Sequence, residues 1–166
     1  MQIRRAELAD APAITEIYNA GSAASPATNL VTWQDSVEER REWIEQMDKD
    51  GYPIFVAEED GKILGWAAYF QFVTPGLYYG TAEDSIYIDA AAQGKGVGSA
   101  LMEKIVEHAA DNDYVHTIIT YIVDTNAASI ALHEKFGFVE TGRMPNIHTK
   151  HGQRLGLVHL QLDFER

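Results

Sequence analysis

The chain of 166 residues contains no cysteine. Disulfide staples, thiolate nucleophiles and cysteine-ligated zinc are therefore excluded. Proline is scarce, at five residues. No Pro/Gly/Ser-rich linker, low-complexity tract or internal repeat divides the sequence, so one domain over residues 1–166 is expected. Nothing approaches the ~18 consecutive apolar residues of a membrane-spanning helix, and no membrane partner is expected. No apolar stretch follows Arg4-Arg5, so no secretory signal is expected. With the lack of cysteine this points to a cytoplasmic location. Basic residues are in deficit, with 13 Lys and Arg against 25 Asp and Glu and a formal net charge of −12. Duplex nucleic acid is not expected as a partner for such a chain, because neutralised phosphates supply most of that affinity. The balance favours a soluble enzyme acting on small molecules, cationic ones included.

What is present reads as an alternation of periods. Gln2 to Arg5 is a short strand. Ala11 to Ala20 reads as a helix, with Asp10 as N-cap, Pro12 in its first turn and Gly21 at its end. Ser22 to Trp33 is a loop. A second helix is expected from Ser36 to Asp48, where Ser36 and Glu39 form a capping-box pattern ahead of Trp43, Ile44 and Met47. Ile54 to Glu59 and Ile63 to Phe72 are strand-like runs joined by the turn dipeptide Asp60-Gly61. A loop from Val73 to Thr81 leads into a third run, Ala82 to Ile88. Gly98 to Ala110 is a helix, Thr117 to Val123 a β-branched strand, and Asn126 to Phe136 a helix followed by Gly137. Phe138 to Gly142 and Leu155 to Phe164 close the chain as strands. Antiparallel hairpins followed by a strand–helix–strand crossover make an α+β arrangement around one mixed sheet.

Three glycines alternate in Gln93-Gly94-Lys95-Gly96-Val97-Gly98, after a strand and at the opening of a helix. Missing side chains let an anion approach the backbone, where free amides and the positive helix end bind it. A P-loop would need glycine at position 89, which is Asp89, and Ser or Thr after Lys95, where Gly96 stands. A dinucleotide fingerprint would need Gly or Ala at position 99, which is Ser99. Asp124 at the end of the next strand lends that reading some support, but three antiparallel-looking strands precede the loop instead of a βαβ unit. A plain strand-to-helix turn needs fewer glycines than this. The remaining reading is a diphosphate seat for an acyl-coenzyme A.

That stretch resembles the Q/R-x-x-G-x-G/A signature of the GNAT acetyltransferase superfamily. Asn126-x-x-Ser129-x-x-Leu132-His133-Glu134-x-x-Gly137-Phe138 is similar to the next motif of that superfamily. Ile3-Arg4 with Asp10, Glu83 with Ile86-Tyr87-Ile88, Lys150-His151-Gly152 and Asp163-Phe164-Glu165 resemble its phosphinothricin and methionine sulfoximine acetyltransferase subgroup. The resemblance runs over essentially the whole chain. It implies a GNAT fold, with about four helices flanking a mixed, mostly antiparallel central sheet, and acetyl-coenzyme A as cosubstrate without a metal.

The resemblance also implies roles. Gly94 to Ser99 (Lys95, Gly96, Val97 and Gly98 between them), with Gln93, would seat the diphosphate. The backbone of Ile86, Tyr87 and Ile88 would pair with the pantetheine arm, and Asn126 and Ser129 would contact the cofactor. Glu83 is the candidate base, since a protonated amine cannot attack a thioester. Asp84 beside it leaves open which of the two faces the cleft, because a strand alternates its side chains. His133 stands where most of the superfamily keeps a tyrosine, and an imidazole could serve as acid or as base. Phe72, Tyr78 and Tyr79 are candidate substrate contacts. The subgroup also implies pairing as homodimers.

Two departures bear on the substrate. The loop from Val73 to Gly80 has no Lys or Arg, where the subgroup carries cations suited to an α-carboxylate. The subgroup's tryptophan and aspartate are missing after Gly152. Either Arg154 supplies the missing cation, or the acceptor is a larger, more cationic amine that meets Tyr78 and Tyr79. His148, His151 and His159 have no carboxylate at ligand spacing, and no metal site is expected. Trp33, Trp43 and Trp66 read as core or cleft wall. The expected activity is N-acetylation of a small amino-acid-like amine by direct attack in a ternary complex. Acetylation of a peptide N-terminus or lysine, and acyl-coenzyme A binding without turnover, are the rival readings.

Overall fold

A computed structural model describes residues 1–73 and 76–165. Thr74 and Pro75 of the expected loop, and Arg166 of the expected domain, lie outside the described residues. The elements are β1 (Gln2–Arg5), α1 (Ala11–Ala24), α2 (Val37–Lys49), β2 (Ile54–Glu59), β3 (Lys62–Gln71), β4 (Thr81–Ile88), α3 (Val97–Ala110), β5 (Thr117–Val123), α4 (Ala127–Lys135), β6 (Val139–Lys150) and β7 (Gln153–Asp163). The strands form one sheet in the order β1-β2-β3-β4-β5-β7-β6. Among the described strands, β4 and β5 are the one parallel pair.

Alternation along the central strands sends apolar side chains to both faces, and each face has its own helical layer. Phe55, Ala67, Tyr69 and Ile118 pack under α3, whose Leu101, Met102 and Ile105 are fully buried. On the other face Val56, Trp66 and Ala68 pack under Ile14 and Ile17 of α1 and Ile44 and Met47 of α2. The two-residue turns come where the sequence provides them. Asp60 and Gly61 adopt φ of 51° and 77° and close β2 onto β3. Both values are positive, as a type I′ turn requires, and Gly meets that demand without steric cost.

Beyond shifts of one or two residues at several ends, three features differ from the sequence reading. Helix α1 runs through Gly21 to Ala24, so Gly21 is not its end. Gly21 is instead a point of close approach: a Cβ there would lie 3.3 Å from Thr28 Cγ2 and 3.5 Å from the Tyr87 ring. The Asp10 side chain does not cap α1. It accepts two bonds from Arg4, at 2.7 and 2.8 Å, and one from the Glu7 amide at 2.8 Å. The largest difference is β6, which extends from Val139 to Lys150 rather than stopping at Gly142. Register shifts at Glu140/Gly142 and Met144/His148, with Asn146 at φ 55°, break the two-residue period by which a strand is read.

Candidate active site

The β4–β5 ladder is short. It joins Thr81 to Thr117, Ala82 to Ile118 and Glu83 to Ile119, and no pairing is present beyond. The strands part after Glu83, and the opening is a cleft of about 370 Å³ between Asp84–Ile88 on one side and Thr120–Ile122 on the other. Residues Gly21 to Thr28 and the first two turns of α4 form its remaining walls.

The register decides which main-chain groups face this opening. Phe72 N–H donates to Thr81 and Asp89 N–H donates to Leu64, at 3.2 and 2.9 Å. These bonds lie at the two ends of the β3–β4 ladder, so odd-numbered residues of β4 direct their peptide groups at β3. The N–H and C=O groups of Ile86 and Ile88 therefore point across the cleft, while those of Tyr87 are used by Trp66. The Tyr87 side chain still lines the cleft. Its ring stacks on Trp66 with centroids 4.9 Å apart, and its hydroxyl accepts from Asn29 Nδ2 at 3.1 Å. Burial first, against that hydrogen bond, pushes the phenol up to about 12.

The glycine loop stands at one end of the cleft. Gly94 and Gly96 have φ of 73° and 84°, and a Cβ at either would meet nothing within 4 Å. The glycines are thus required by backbone conformation, and the space beside them is open. Gly96 caps α3 without a side-chain bond. The amides of Val97, Gly98 and Ser99 have no acceptor within the helix, since its first internal bond runs from Ala100 to Gly96. Gly98 packs against Leu132 and Ile88, which joins the loop to the cleft wall. Lys135 Nζ donates to Ser99 Oγ at 3.0 Å and brings a cation to this helix end. Nothing in the α4 motif distinguishes that lysine from ordinary helix surface.

Asn126 is the N-cap of α4, its Oδ1 accepting from Ser129 N–H at 3.1 Å, and both residues line the cleft with Gln93. Seven residues along the same helix face lies His133, which is buried. Its Nδ1 is 2.7 Å from the Ser129 carbonyl and its Nε2 is 3.0 Å from Asp84 Oδ2. Burial alone would lower the imidazole. The Asp84 charge, its hydrogen bond and the Ser129 carbonyl outweigh that and raise it above the ordinary histidine value.

Glu83 points to the opposite face of the sheet from Asp84. It is partly buried, and burial together with the neighbouring Asp84 charge pushes its carboxyl up to about 7. On that face, β4 and β5 register sets Glu83 beside Ile119, one alternation from Tyr121, whose phenol its charge raises further after burial. Phe72 stacks on Tyr121 at 6.1 Å, Tyr78 packs edge-on to Phe72 at 5.0 Å, and His159 packs edge-on to Tyr121 at 4.6 Å. Tyr121 carries no motif, and only the register marks it.

Two expected substrate contacts are not brought to this group. Tyr79 is 74% exposed and turns toward Tyr114 and His116. Arg154 donates to the Asn146 carbonyl in β6. Gln161, the β7 neighbour of Ile119, is seven residues from Arg154. At ~3.3 Å per residue that is about 23 Å along the strand. Trp43 and Trp66 pack together at 5.5 Å as expected of core, whereas Trp33 is 66% exposed.

A sheet split between two parallel strands, with a glycine-opened helix at the mouth and ionisable groups on both faces, is the architecture of an acyltransferase. The family described as acetyltransferase (GNAT) family matches residues 14–138, and the chain belongs to it. It is 36% identical over 168 aligned residues to the L-methionine sulfoximine/L-methionine sulfone acetyltransferase of Salmonella typhimurium, covering 99% of this chain and 95% of that one. It is 33% identical to the phosphinothricin N-acetyltransferase of Alcaligenes faecalis, covering 92% and 77%. The crystal structure of a phosphinothricin acetyltransferase from Sinorhizobium meliloti in complex with acetyl-coenzyme A superposes with a TM-score of 0.93 at 31% identity, covering 98% and 88%.

Proposed function

We propose that this acetyltransferase moves the acetyl group of acetyl-coenzyme A to the primary amine of a small amino-acid-like substrate, of methionine sulfoximine, methionine sulfone or phosphinothricin type. Attack is direct, in a ternary complex. The observation that carries the reading is the placement of Glu83 and His133 on opposite faces of one opening in the sheet.

The cradle suits the cosubstrate. Bare amides at Val97, Gly98 and Ser99 open α3, a Cβ on Gly94 or Gly96 would meet nothing within 4 Å, and Lys135 adds a positive charge. The amide and carbonyl groups of Ile86 and Ile88 continue the strand pairing that β5 abandons, so an amide-bearing arm can complete it. One of those N–H groups serves the oxyanion; loss of such a donor typically costs ~3–4 kcal/mol.

Glu83 takes the proton of the incoming ammonium. A carboxylate with its pKa near 7 is ionised above neutrality and still basic enough to hold the proton. His133, whose imidazole the Asp84 charge raises against the effect of burial, returns a proton to the departing sulfur. Phe72, Tyr78 and Tyr121 wall the acceptor side.

A second reading, a larger or more cationic amine, is supported by the ~23 Å of strand between Arg154 and the neighbour of Ile119 and by the aromatic wall beside an acidic group. A panel of amino acids, sulfoxide, sulfone and sulfoximine analogues, polyamines and peptides, assayed by release of free thiol, tests both. Turnover on amino-acid analogues supports the first reading and on polyamines the second. Turnover on peptides alone, or acetyl-coenzyme A binding without any turnover, refutes both.

A further inference from the structure

Asp84 has no role in the chemistry described so far, yet it is more deeply buried than Glu83. It sits on the first residue of β4 beyond the paired ladder and belongs to the cleft lining, with His133 against one of its oxygens. Its other oxygen, Oδ1, is buried without a hydrogen-bond partner among the described residues. An unpartnered buried carboxylate oxygen is costly unless a neighbouring positive charge compensates it.

The hydrogen-bond directions around His133 supply that charge. A backbone carbonyl can only accept, so Nδ1 must carry a hydrogen toward Ser129. Nε2 faces a carboxylate, which also accepts, so Nε2 must carry a hydrogen too unless Asp84 itself is protonated. Either arrangement keeps one proton more than a neutral histidine and a free carboxylate together. If that proton leaves, a bare nitrogen lone pair faces a carboxylate oxygen across 3.0 Å, which is repulsive.

We propose that Asp84 is a positioning residue that holds His133 as a doubly protonated imidazolium on the coenzyme side of the sheet, ready to protonate the leaving thiolate. The inference rests on the reading of His133 as proton donor. In the transfer step the Nε2–H gives up its hydrogen bond to Asp84 Oδ2 for one to the sulfur, the Nε2–H bond breaks and an S–H bond forms, leaving neutral coenzyme thiol and neutral His133 with its hydrogen on Nδ1. The lone pair left facing Asp84 then draws a replacement proton from solvent, which restores the pair for the next turnover.

Among the described residues, Asp84 is the one titratable side chain acting on His133. The Ser129 carbonyl belongs to α4 itself, the Phe138 ring packs edge-on at 5.0 Å, and Glu83 points to the other face. Asp84 also acts on Glu83, as the second cause after burial of its raised carboxyl. One carboxylate therefore biases the base on one face and the acid on the other in the same direction. Removing its charge lowers both.

The test is Asp84→Asn, with Asp84→Ser as a second variant should the first fold poorly. Histidine-labelled protein is titrated by NMR, with His133→Gln assigning the resonance. In the wild type the His133 ring stays protonated above the range of ordinary histidines; in Asp84→Asn its midpoint falls by ~1 unit or more. The pH profile of turnover then moves bodily to the acid side, both limbs together. An unmoved His133 titration overturns the proposal, as does a loss of rate by the same factor at every pH with limbs in place. If the titration moves as expected but no amine is acetylated at any pH, the buried pair stands and the acetyltransferase reading fails.

Discussion

The ammonium of Lys150 is buried at the end of β6 and donates to the Asn29 carbonyl at 3.0 Å and to Asn29 Oδ1 at 3.3 Å, with no carboxylate opposite it in those bonds. A third bond reaches the Ser22 carbonyl at 2.8 Å. Asn29 in turn donates to Tyr87 and to Ser22, so one lysine ties the end of α1, the loop after it and the floor of the cleft together.

Lys150→Met should therefore cost both stability and cofactor affinity. Two buried carbonyls lose their donor, and each such loss is worth ~1–3 kcal/mol. At this chain length ~1 kcal/mol corresponds to a melting shift of about 2–4 °C, so the combined ~2–6 kcal/mol should appear as a drop of ~4–24 °C by calorimetry. Gly21 and Thr28, both on the cleft wall, lose their anchor, so the Michaelis constant for acetyl-coenzyme A should rise. An unchanged melting temperature would show that the three bonds add nothing.

The glycine loop allows a controlled comparison. Gly96 and Gly51 both adopt left-handed backbone, with φ of 84° and 78°, and a Cβ at either meets nothing. Any larger residue pays a similar backbone strain at the two positions, on the order of 1–2 kcal/mol. Only position 96 immediately precedes the free amides of α3. Gly96→Val should weaken acetyl-coenzyme A binding at least tenfold by titration calorimetry, whereas Gly51→Val should lower stability alone. Equal affinities in the two variants would detach the loop from the cofactor.

How legible was this arrangement before folding? The two motifs were readable because their physics is local. A helix N-terminus opened by glycine, and an asparagine capping the next helix, each act within a few residues. Pairing was not readable. Asp84 and His133 are 49 positions apart, and the strand alternation that separates Asp84 from Glu83 does not say which of them turns to the helix. The long β6 was hidden because its shifts in register erase the two-residue period. The setting of Arg154 was not legible for a related reason. Its place in the chain, just after a motif resembling the subgroup's, gave no hint of the ~23 Å of strand between it and the neighbour of Ile119.

That distance makes Arg154→Ala a discriminating variant. The Michaelis constant for amino-acid analogues should stay within about twofold of the wild type, because ion pairs beyond a Debye length of ~8 Å are largely screened at physiological salt. A tenfold rise, measured by initial rates on methionine sulfone, would show that the guanidinium reaches the acceptor after all.

The proposed role of Glu83 as base couples activity to stability with opposite signs. Its carboxyl is raised from 4.5 to about 7 in the folded protein, burial being the larger cause and Asp84 the second. Between those values the folded state binds a proton that the unfolded chain has released, so stability falls as pH rises through this window. The full effect is on the order of 3 kcal/mol, absent below pH 4.5 and reached above pH 7. Glu83→Gln removes it. The variant should melt higher than the wild type at pH 8 and nearly level with it at pH 4.5, while turnover falls ~10²–10⁴-fold and the acid limb near pH 7 disappears. Paired melts and rate profiles across that range check both signs. A variant that is slower yet no more stable at pH 8 would mean that the carboxylate is better solvated than its burial implies, and an acid limb that survives the substitution would place the base elsewhere.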